Sequence, residues 1–470
     1  MRIHLTIILL ISFILSSCTP DIQSTPVLPT TSPLPTKQQT QPTTTPRTIA
    51  DIVFRNGNVL TMDSAQPYAQ AIAILGNEIL IVGDNYEMSA FIGDTTQVIN
   101  LRGHTLMPGF VDGHTHFYSN LFQENKNIEE TQQWLLSQGI TTITEVNVRP
   151  EEFEWILEAY SAGKLRVRNA LYLEYSNACG DVTGHWYHEH PSAHFHDDHL
   201  RVQGIKIFTD GGACNRPAVS FQYPSGGYGD LYFDDSYLAQ VVIEAQDFDY
   251  QVAIHALGDR GADLALNAIE IALNDQPNVY RHRIEHNALL RDDQLPRYSE
   301  IGIVPMIFGK YLACYFGGDS SQFEYSTPSE YRYWEWRFGD LIRTNPDLTF
   351  AWHSDYPVFG SINPFEHLYG FVTRKEMKPG GEICLPPDWS LDGRIPVEQA
   401  LHYMTINSAY ATFYDDIVGS LQPGKLADLI ILSDNPLMVD ADELINIKVK
   451  MTMLDGKVEY CAEGQSDYCP

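Results

Sequence analysis

Between residues 51 and 83 short apolar runs, among them AIAIL and EILIVG, are separated by Asn-Gly and Gly-Asn pairs, a pattern that predicts consecutive β-hairpins. The same texture returns near the C-terminus in GSLQPGKLADLIILS and VKMTMLDGKVEY. Two strand-rich segments flanking a long middle predict one small β-sandwich domain built from both chain ends, residues 50–107 with 416–460. Over residues 108–415 the pattern changes to alternating strand and helix periods. Strands are expected in TLMPGFVDGH, ITTITEV, RVRNALYLEY, GIKIFTD, YQVAIHAL, YRHRIEHN, GIVPMI and LTFAWHSD. Amphipathic helical stretches such as EETQQWLLSQG, DDSYLAQVVIEAQDF and RGADLALNAIEIAL lie between them. Eight strands interleaved with helices predict an α/β fold of the (β/α)8 TIM-barrel type. A doubly wound open sheet is the alternative, but no Gly-rich phosphate loop follows the first strand.

Length and composition agree with an enzyme-sized domain plus a smaller one, because 470 residues at 44% hydrophobic and 19% charged can bury a large core. The formal net charge of −30 repels nucleic acid and anionic membrane surfaces, so neither is expected as a partner of the folded part. A homo-oligomer stays open. Residues 1–18 break the pattern: Arg2 precedes an apolar run ending in LSSC, the layout of an export signal. LSSC resembles a bacterial lipobox, which would leave Cys18 as a lipid-modified first residue and anchor the protein outside the cytoplasmic membrane. A cleaved signal without lipid is the alternative. Residues 19–49, rich in Pro, Thr, Ser and Gln, read as an extended spacer, and residues 461–470 as a C-terminal tail. The six further cysteines allow 15 connectivities, with Cys461 and Cys469 the first pair expected.

Polar residues at strand ends carry the candidate chemistry, because a barrel places its site there. His114 and His116, two apart in GFVDGHTHF, share one strand face. His255 ends QVAIH, His286 ends RHRIEH and Asp355 ends LTFAWHSD. Four histidines and an aspartate converging on one barrel mouth suit zinc or another divalent transition metal. Lys206 lies inside the apolar run VQGIKIFTDGG, where a bare ammonium beside dications would be repelled. A lysine carbamate would instead be an anion able to bridge two metals. Asp210 is expected either to orient a ligand or the substrate or to cap the turn in TDGG, and His353 either to support Asp355 or to pack in the barrel. Arg216 and Arg337 are candidates for a substrate carboxylate. The aromatic stretch after the seventh strand is a candidate lid or pocket wall.

MPGFVDGHTHF, GIKIFTDGG, IHALGDRG, RIEHN, HSDYPV with NPF after it, and the closing GSLQPGKLADLIILSDNPL resemble the amidohydrolase superfamily, and within it the amidohydrolase-3 group that includes N-substituted formamide deformylases. The resemblance runs from Asp51 to about Tyr460. It implies that His114, His116, Lys206, His255 and His286 bind metal, with Lys206 as a carbamate and two metals per chain. Asp355 would be both ligand and catalytic base. The implied reaction is hydrolysis of an amide-like C–N bond by a metal-bound hydroxide, Asp355 moving the proton to the leaving amine. Two departures from the pattern stand out. The stretch between His116 and the second strand is short, and an unfamiliar loop carries His185, His188, His190, His194, His196 and His199. That loop is either a metal-capture segment or lid, or a polar surface. Two rival functions follow: a catalytically silent solute-binding lipoprotein on the same scaffold, and a metal-scavenging surface protein centred on the loop.

Overall fold

The apolar stretch from Thr105 to Thr115 forms two strands, not one. Thr105–Pro108 pairs with Leu429–Leu432 in an outer sheet, and past Gly109 the chain turns into the barrel. A Cβ on Gly109 would lie 2.3 Å from the Thr141 side chain, so the crossing requires glycine. The computed structural model describes residues 48–469 except 196, 310–312, 315–326 and 379. The expected signal segment, Cys18, most of the spacer, His196 and much of the aromatic stretch therefore lie outside the described residues.

The barrel strands are β1 (Phe110–Thr115), β2 (Ile140–Val148), β3 (Arg168–Glu174), β4 (Leu200–Phe208), β5 (Gln251–Ala256), β6 (Arg283–His286), β7 (Val304–Phe308) and β8 (Ala351–His353). They pair in parallel in sequence order, and Ala193–His194 adds a short antiparallel edge to β4. Helices α1 (Phe117–Glu124) and α2 (Ile128–Ser137) follow β1, and α3 (Pro150–Ser161) follows β2. Then α4 (Asp235–Asp247), α5 (Asp259–Leu273), α6 (Arg297–Ile301), α7 (Phe338–Thr344) and α8 (Pro364–Thr373) follow β4 to β8, with α9 (Val397–Tyr403) and α10 (Ile406–Ala411) behind them. Among the described residues no α-helix follows β3, and the His-rich loop takes its place with a 3-10 turn at Trp186–Glu189 and the edge strand Ala193–His194.

Local chemistry starts these helices where the sequence changes period. The Asn127 side chain accepts from the amides of Glu129 and Glu130 at 2.8 and 3.3 Å at the start of α2. A cap of this kind contributes about 1 kcal/mol. Strand β5, QVAIHA, is buried along its whole length, as expected for a parallel strand covered on both faces. Leu264, Ala265, Leu266, Ala268 and Ile269 of α5 and Leu238, Val241 and Val242 of α4 pack on that wall.

No regular ladder joins β8 to β1, and the barrel is closed by residues at the strand ends. The Asp355 amide donates to the His114 carbonyl at 3.0 Å and the His116 amide to the Tyr356 carbonyl at 2.7 Å. The Asp112 carboxylate spans the same seam, accepting from the amides of Ser354 and His114 at 3.0 and 3.3 Å. The seam between β8 and β1 is thus made by the backbone that carries three of the candidate ligands.

Both chain ends build the outer layer. One sheet holds Glu78–Gly83, Ala71–Leu75, Ile52–Arg55 and Gln97–Asn100, and the other holds Lys457–Cys461, Val449–Leu454, Leu429–Leu432, Thr105–Pro108, Asn58–Leu60 and Tyr68–Ala69. Phe54, Ile72 and Ile79 of the first sheet pack with Val59, Leu106, Ile431 and Met451 of the second, a sandwich core. The expected run of hairpins holds only in part. Gly76-Asn77 does turn a hairpin, whereas the strands either side of Asn56-Gly57 enter different sheets. Asn56 takes a φ of 59°, so the Asn-Gly pair supplies left-handed backbone for a crossing between sheets. Past Cys461 the chain continues to pack on the sandwich through buried Tyr468. Cys461 is bonded to Cys469, and Cys179–Cys214 and Cys314–Cys384 are the other disulfides. Arg168 at the foot of β3 fastens barrel to sandwich, pairing with Asp428 at 2.7 Å.

Candidate metal centre

At the C-terminal mouth of the barrel the side chains of His114, His116, His286 and Asp355 meet. Asp355 Oδ1 stands 3.3 Å from His114 Nε2 and 3.5 Å from His116 Nε2, and Asp355 Oδ2 lies 3.7 Å from His286 Nδ1. The His255 ring is 4.7 Å from that of His286, centroid to centroid. Two of these residues sit on unusual backbone: φ is 71° at His286 and 54° at Asp355. Left-handed backbone at non-glycine residues is a strain that surrounding structure must hold, and it gathers at functional sites. Here it falls at the last residue of β6 and two residues past the end of β8, where both side chains turn into the mouth. Simple strand parity does not foresee that turn.

Several buried polar atoms at this point make no hydrogen bond: His114 Nε2, His286 Nδ1, Asp355 Oδ1 and the Nζ of Lys206. The 3.3 Å approach of Asp355 to His114 is close but not aligned for one. Leaving such atoms dry and unmatched is costly, about 1–3 kcal/mol each. Nitrogen and oxygen donors aimed at a common point fit a divalent metal of the zinc type. The donors are also in the right charge state. Burial, reinforced by the positive charge of Lys206, holds the His114 imidazole well below its ordinary value and pushes His255 to about 3. Burial and the neighbouring His255 and His114 do the same at His286. Burial by itself would raise the Asp355 carboxyl, but the His114 and His116 imidazoles outweigh it and bring it to about 2. Neutral imidazoles beside an ionised carboxylate are the ligand forms a metal requires.

Lys206 is fully buried on β4, in register with Glu174 of β3 and Ala253 of β5. Burial lowers its amine to about 8, and the charges of Glu285 and Asp355 oppose the fall. Its Nζ lies over the Phe208 ring, 5.0 Å from the centroid. An amine in such a place is a poor resident unless it is modified or liganded.

The remaining expectations divide. Asp210 does not reach into the mouth: its carboxylate accepts from the amides of Ala218, Leu257 and Gly258 at 2.9, 3.1 and 2.7 Å, holding the turn after β5. It touches the ligand set only through His255 Nε2, at 3.8 Å. His353 lies inside the cluster, its ring stacked on that of His114 at 5.0 Å, with neither nitrogen hydrogen-bonded. Arg216 is committed to Ser225 and the Gly226 carbonyl, both at 2.8 Å, and Arg337 to Asp292 and Asp340 at 2.6 and 2.8 Å. Neither reads as a substrate clamp. Of the aromatic stretch, Phe308 and Trp336 pack at tilted and edge-on angles with Phe359 beside His353 and form an apolar wall.

Two supporting acids escape the sequence reading. Glu285 Oε2 lies 2.5 Å from His114 Nδ1, and its other oxygen pairs with Arg283 Nε at 2.8 Å. A carboxylate on Nδ1 fixes the tautomer that leaves Nε2 free for a metal. The signal was present in RIEH, where Arg283 and Glu285 share one face of a buried strand. Glu145 accepts from the amides of Tyr118 and Ser119 at 2.9 and 3.0 Å, satisfying the start of α1 and so fixing the residue before it, His116. Nothing in the local sequence marks Glu145, because its partners come from another strand end.

Comparison with known proteins gives the geometry a context. A profile of the amidohydrolase family matches residues 120–460, a span that includes Lys206, His255, His286 and Asp355 and begins just after His116. Protein LONG AFTER FAR-RED 3 of Arabidopsis thaliana is 23% identical over 88% of this chain and 92% of its own length. N-substituted formamide deformylase of Arthrobacter pascens is 27% identical over 56% of this chain and 46% of its own length, so that match spans about half of each protein. The crystal structure of a metal-dependent hydrolase of Pyrococcus horikoshii superposes with a TM-score of 0.67 at 19% identity, covering 83% of this chain and 99% of that one.

Proposed function

Because the chain belongs to the amidohydrolase family, we propose that it is a metal-dependent hydrolase of a small amide-like C–N bond, in an N-substituted formamide, an N-acyl compound or a cyclic amide. The observation that carries the reading is the convergence of His114, His286 and Asp355, whose ligand atoms lie within 4.8 Å of one another and include three buried atoms that make no hydrogen bond. His116 and His255 complete the histidine set, and Lys206, as a carbamate, would supply an anionic ligand for a second ion. A bound divalent metal supplies Lewis acidity, lowering the pKa of water and polarising a carbonyl.

The protein's own residues do the rest. Asp355, held at the mouth by the seam hydrogen bonds, takes the proton of the attacking water on its carboxylate and returns it to the departing nitrogen. Glu285 keeps the His114 ring in one orientation during this transfer, and Arg283 holds the other oxygen of Glu285 in place. Phe308, Trp336 and Phe359 offer an apolar face for the substrate's non-reacting part. The 27% identity to a formamide deformylase supports the substrate class. An activity screen of the metal-loaded protein against N-formyl, N-acyl and cyclic amides, with Asp355→Asn alongside, tests the reading. Turnover by the wild type and none by the variant is expected, and equal turnover by both defeats it.

For location, export as a lipoprotein anchored through Cys18 is the reading the cysteines support. The six cysteines of the folded part are paired in disulfides, which persist in oxidising compartments. Metabolic labelling with a fatty acid, lost in Cys18→Ala, tests it.

A further inference from the structure

The His-rich loop after β3 holds a second constellation. Of its five described histidines, His190 packs on Phe153 at 4.6 Å, His199 pairs with Asp455 at 2.8 Å and His194 faces solvent. His185 and His188 behave differently. His185 caps the 3-10 turn Trp186–Glu189 and His188 lies within it; residues three apart in such a turn eclipse one another, so both imidazoles leave the same side. Glu244 of α4 meets them there with one oxygen for each. His185 Nδ1 lies 3.4 Å from Glu244 Oε2, and His188 Nε2 lies 3.2 Å from Glu244 Oε1.

Those spacings match neighbouring ligands around one ion, since bonds of about 2.0–2.1 Å in a tetrahedron put ligand atoms about 3.4 Å apart. The rings are held before any ion arrives: His188 stacks on Phe248 at 4.2 Å and 10°, and His185 abuts Tyr175 and Tyr187. His188 Nε2 is buried yet makes no hydrogen bond, so its nearness to Glu244 is not already spent on one.

We propose that His185, His188 and Glu244 form a separate site for one divalent transition metal, zinc by the character of its donors, and that the ion clips the loop after β3 to helix α4. The site has three protein ligands and a solvent-facing fourth position. Its place gives it a purpose. Trp186 Nε1 donates to the Glu174 carbonyl at 2.8 Å, the Thr183 hydroxyl bonds the Glu174 carboxylate, and Glu174 lies in register with Lys206. The clipped loop therefore leans on the strand end beside the barrel cluster. Near its start the Cys179–Cys214 disulfide already ties it to the segment after β4. The ion adds a second fastening, reversible and metal-dependent. The residues are partly exposed, so replacing them leaves the barrel core intact.

The test measures metal content and loop protection on the purified protein. Metal-stripped wild type, His185→Ala/His188→Ala and Glu244→Gln are reloaded with Zn2+, desalted and analysed for bound zinc, with thermal melts to establish folding. Both variants are expected to hold one equivalent less than wild type, while Asp355→Asn retains the surface equivalent. Zinc is expected to slow proteolytic cleavage of the loop about residues 185–199 in wild type and not in the variants. Equal zinc in wild type and both variants overturns the site, and an ion bound without any change in loop cleavage overturns the clip. Neither outcome touches the barrel reading, whose test is turnover.

Discussion

The two histidine clusters of this protein use nearly the same donors to different ends. At the barrel mouth His114, His286 and Asp355 are buried, and on the loop His185, His188 and Glu244 are partly exposed. Burial makes the difference. In the mouth, desolvation keeps imidazoles neutral, leaves donor atoms without hydrogen bonds and demands supporting acids such as Glu285 to fix each ring. On the loop, aromatic packing and Glu244 order the rings, and the site is open to water on one side. A buried cluster can polarise a substrate, because charges act strongly where water is excluded. An exposed one can do little more than hold two segments together.

The comparison breaks most visibly at Asp355. Asp355→Asn should fold as wild type by circular dichroism yet lose about 10²–10⁴ in kcat/KM, the scale of general acid–base catalysis. Glu244→Gln, its counterpart on the loop, should keep the wild-type rate, and a comparable loss there would erase the distinction between the clusters. Glu285→Gln comes next. Weakening the carboxylate on His114 should lower metal affinity by about 10–100-fold, read by chelator competition. Unchanged affinity would mean that packing alone orients His114.

Lys206→Met separates stability from function. In metal-stripped protein the change removes a buried amine that makes no hydrogen bond, so stability to urea should rise by about 1–3 kcal/mol. Reloaded protein should then hold fewer metal ions in the barrel. A less stable stripped variant would show that the amine is satisfied by something other than a ligand.

His282 serves as a buried imidazole without a metal. Its Nδ1 accepts from the Val252 amide at 3.0 Å, and burial lowers its pKa to about 3 from an ordinary 6.5. The folded value is depressed, so its contribution to stability is full above pH 6.5 and is lost as pH falls toward 3. His282→Gln should flatten the acid limb of the stability curve in that window, by at most about 1.4 kcal/mol per pH unit. Parallel curves for variant and wild type would show that this imidazole is not what acid attacks.

Much of this was legible in the chain because periodicity and strand ends carry it. Eight strand candidates were placed by alternation of strand and helix periods, and the strand-end histidines followed from where barrels keep their sites. Asn56-Gly57 misled because a left-handed pair serves a crossing between sheets as well as a hairpin. Arg216 and Arg337 looked free because their partners, Ser225, Gly226, Asp292 and Asp340, are brought to them only by folding. Glu145 was invisible for the same reason. Glu285 is legible in the Arg-x-Glu parity of the buried strand it shares with His286.

What the amino-acid sequence determined by itself was the order of elements and the kinds of donor, because hydrophobic period and residue chemistry are local properties. Tertiary structure alone decided which donors meet. The closing seam between β1 and β8 brings Asp355 to His114 across some 240 residues, left-handed backbone turns His286 and Asp355 inward, and the fold carries Glu244 to His185 and His188. Such meetings depend on the summed geometry of every strand between them, which no local pattern encodes.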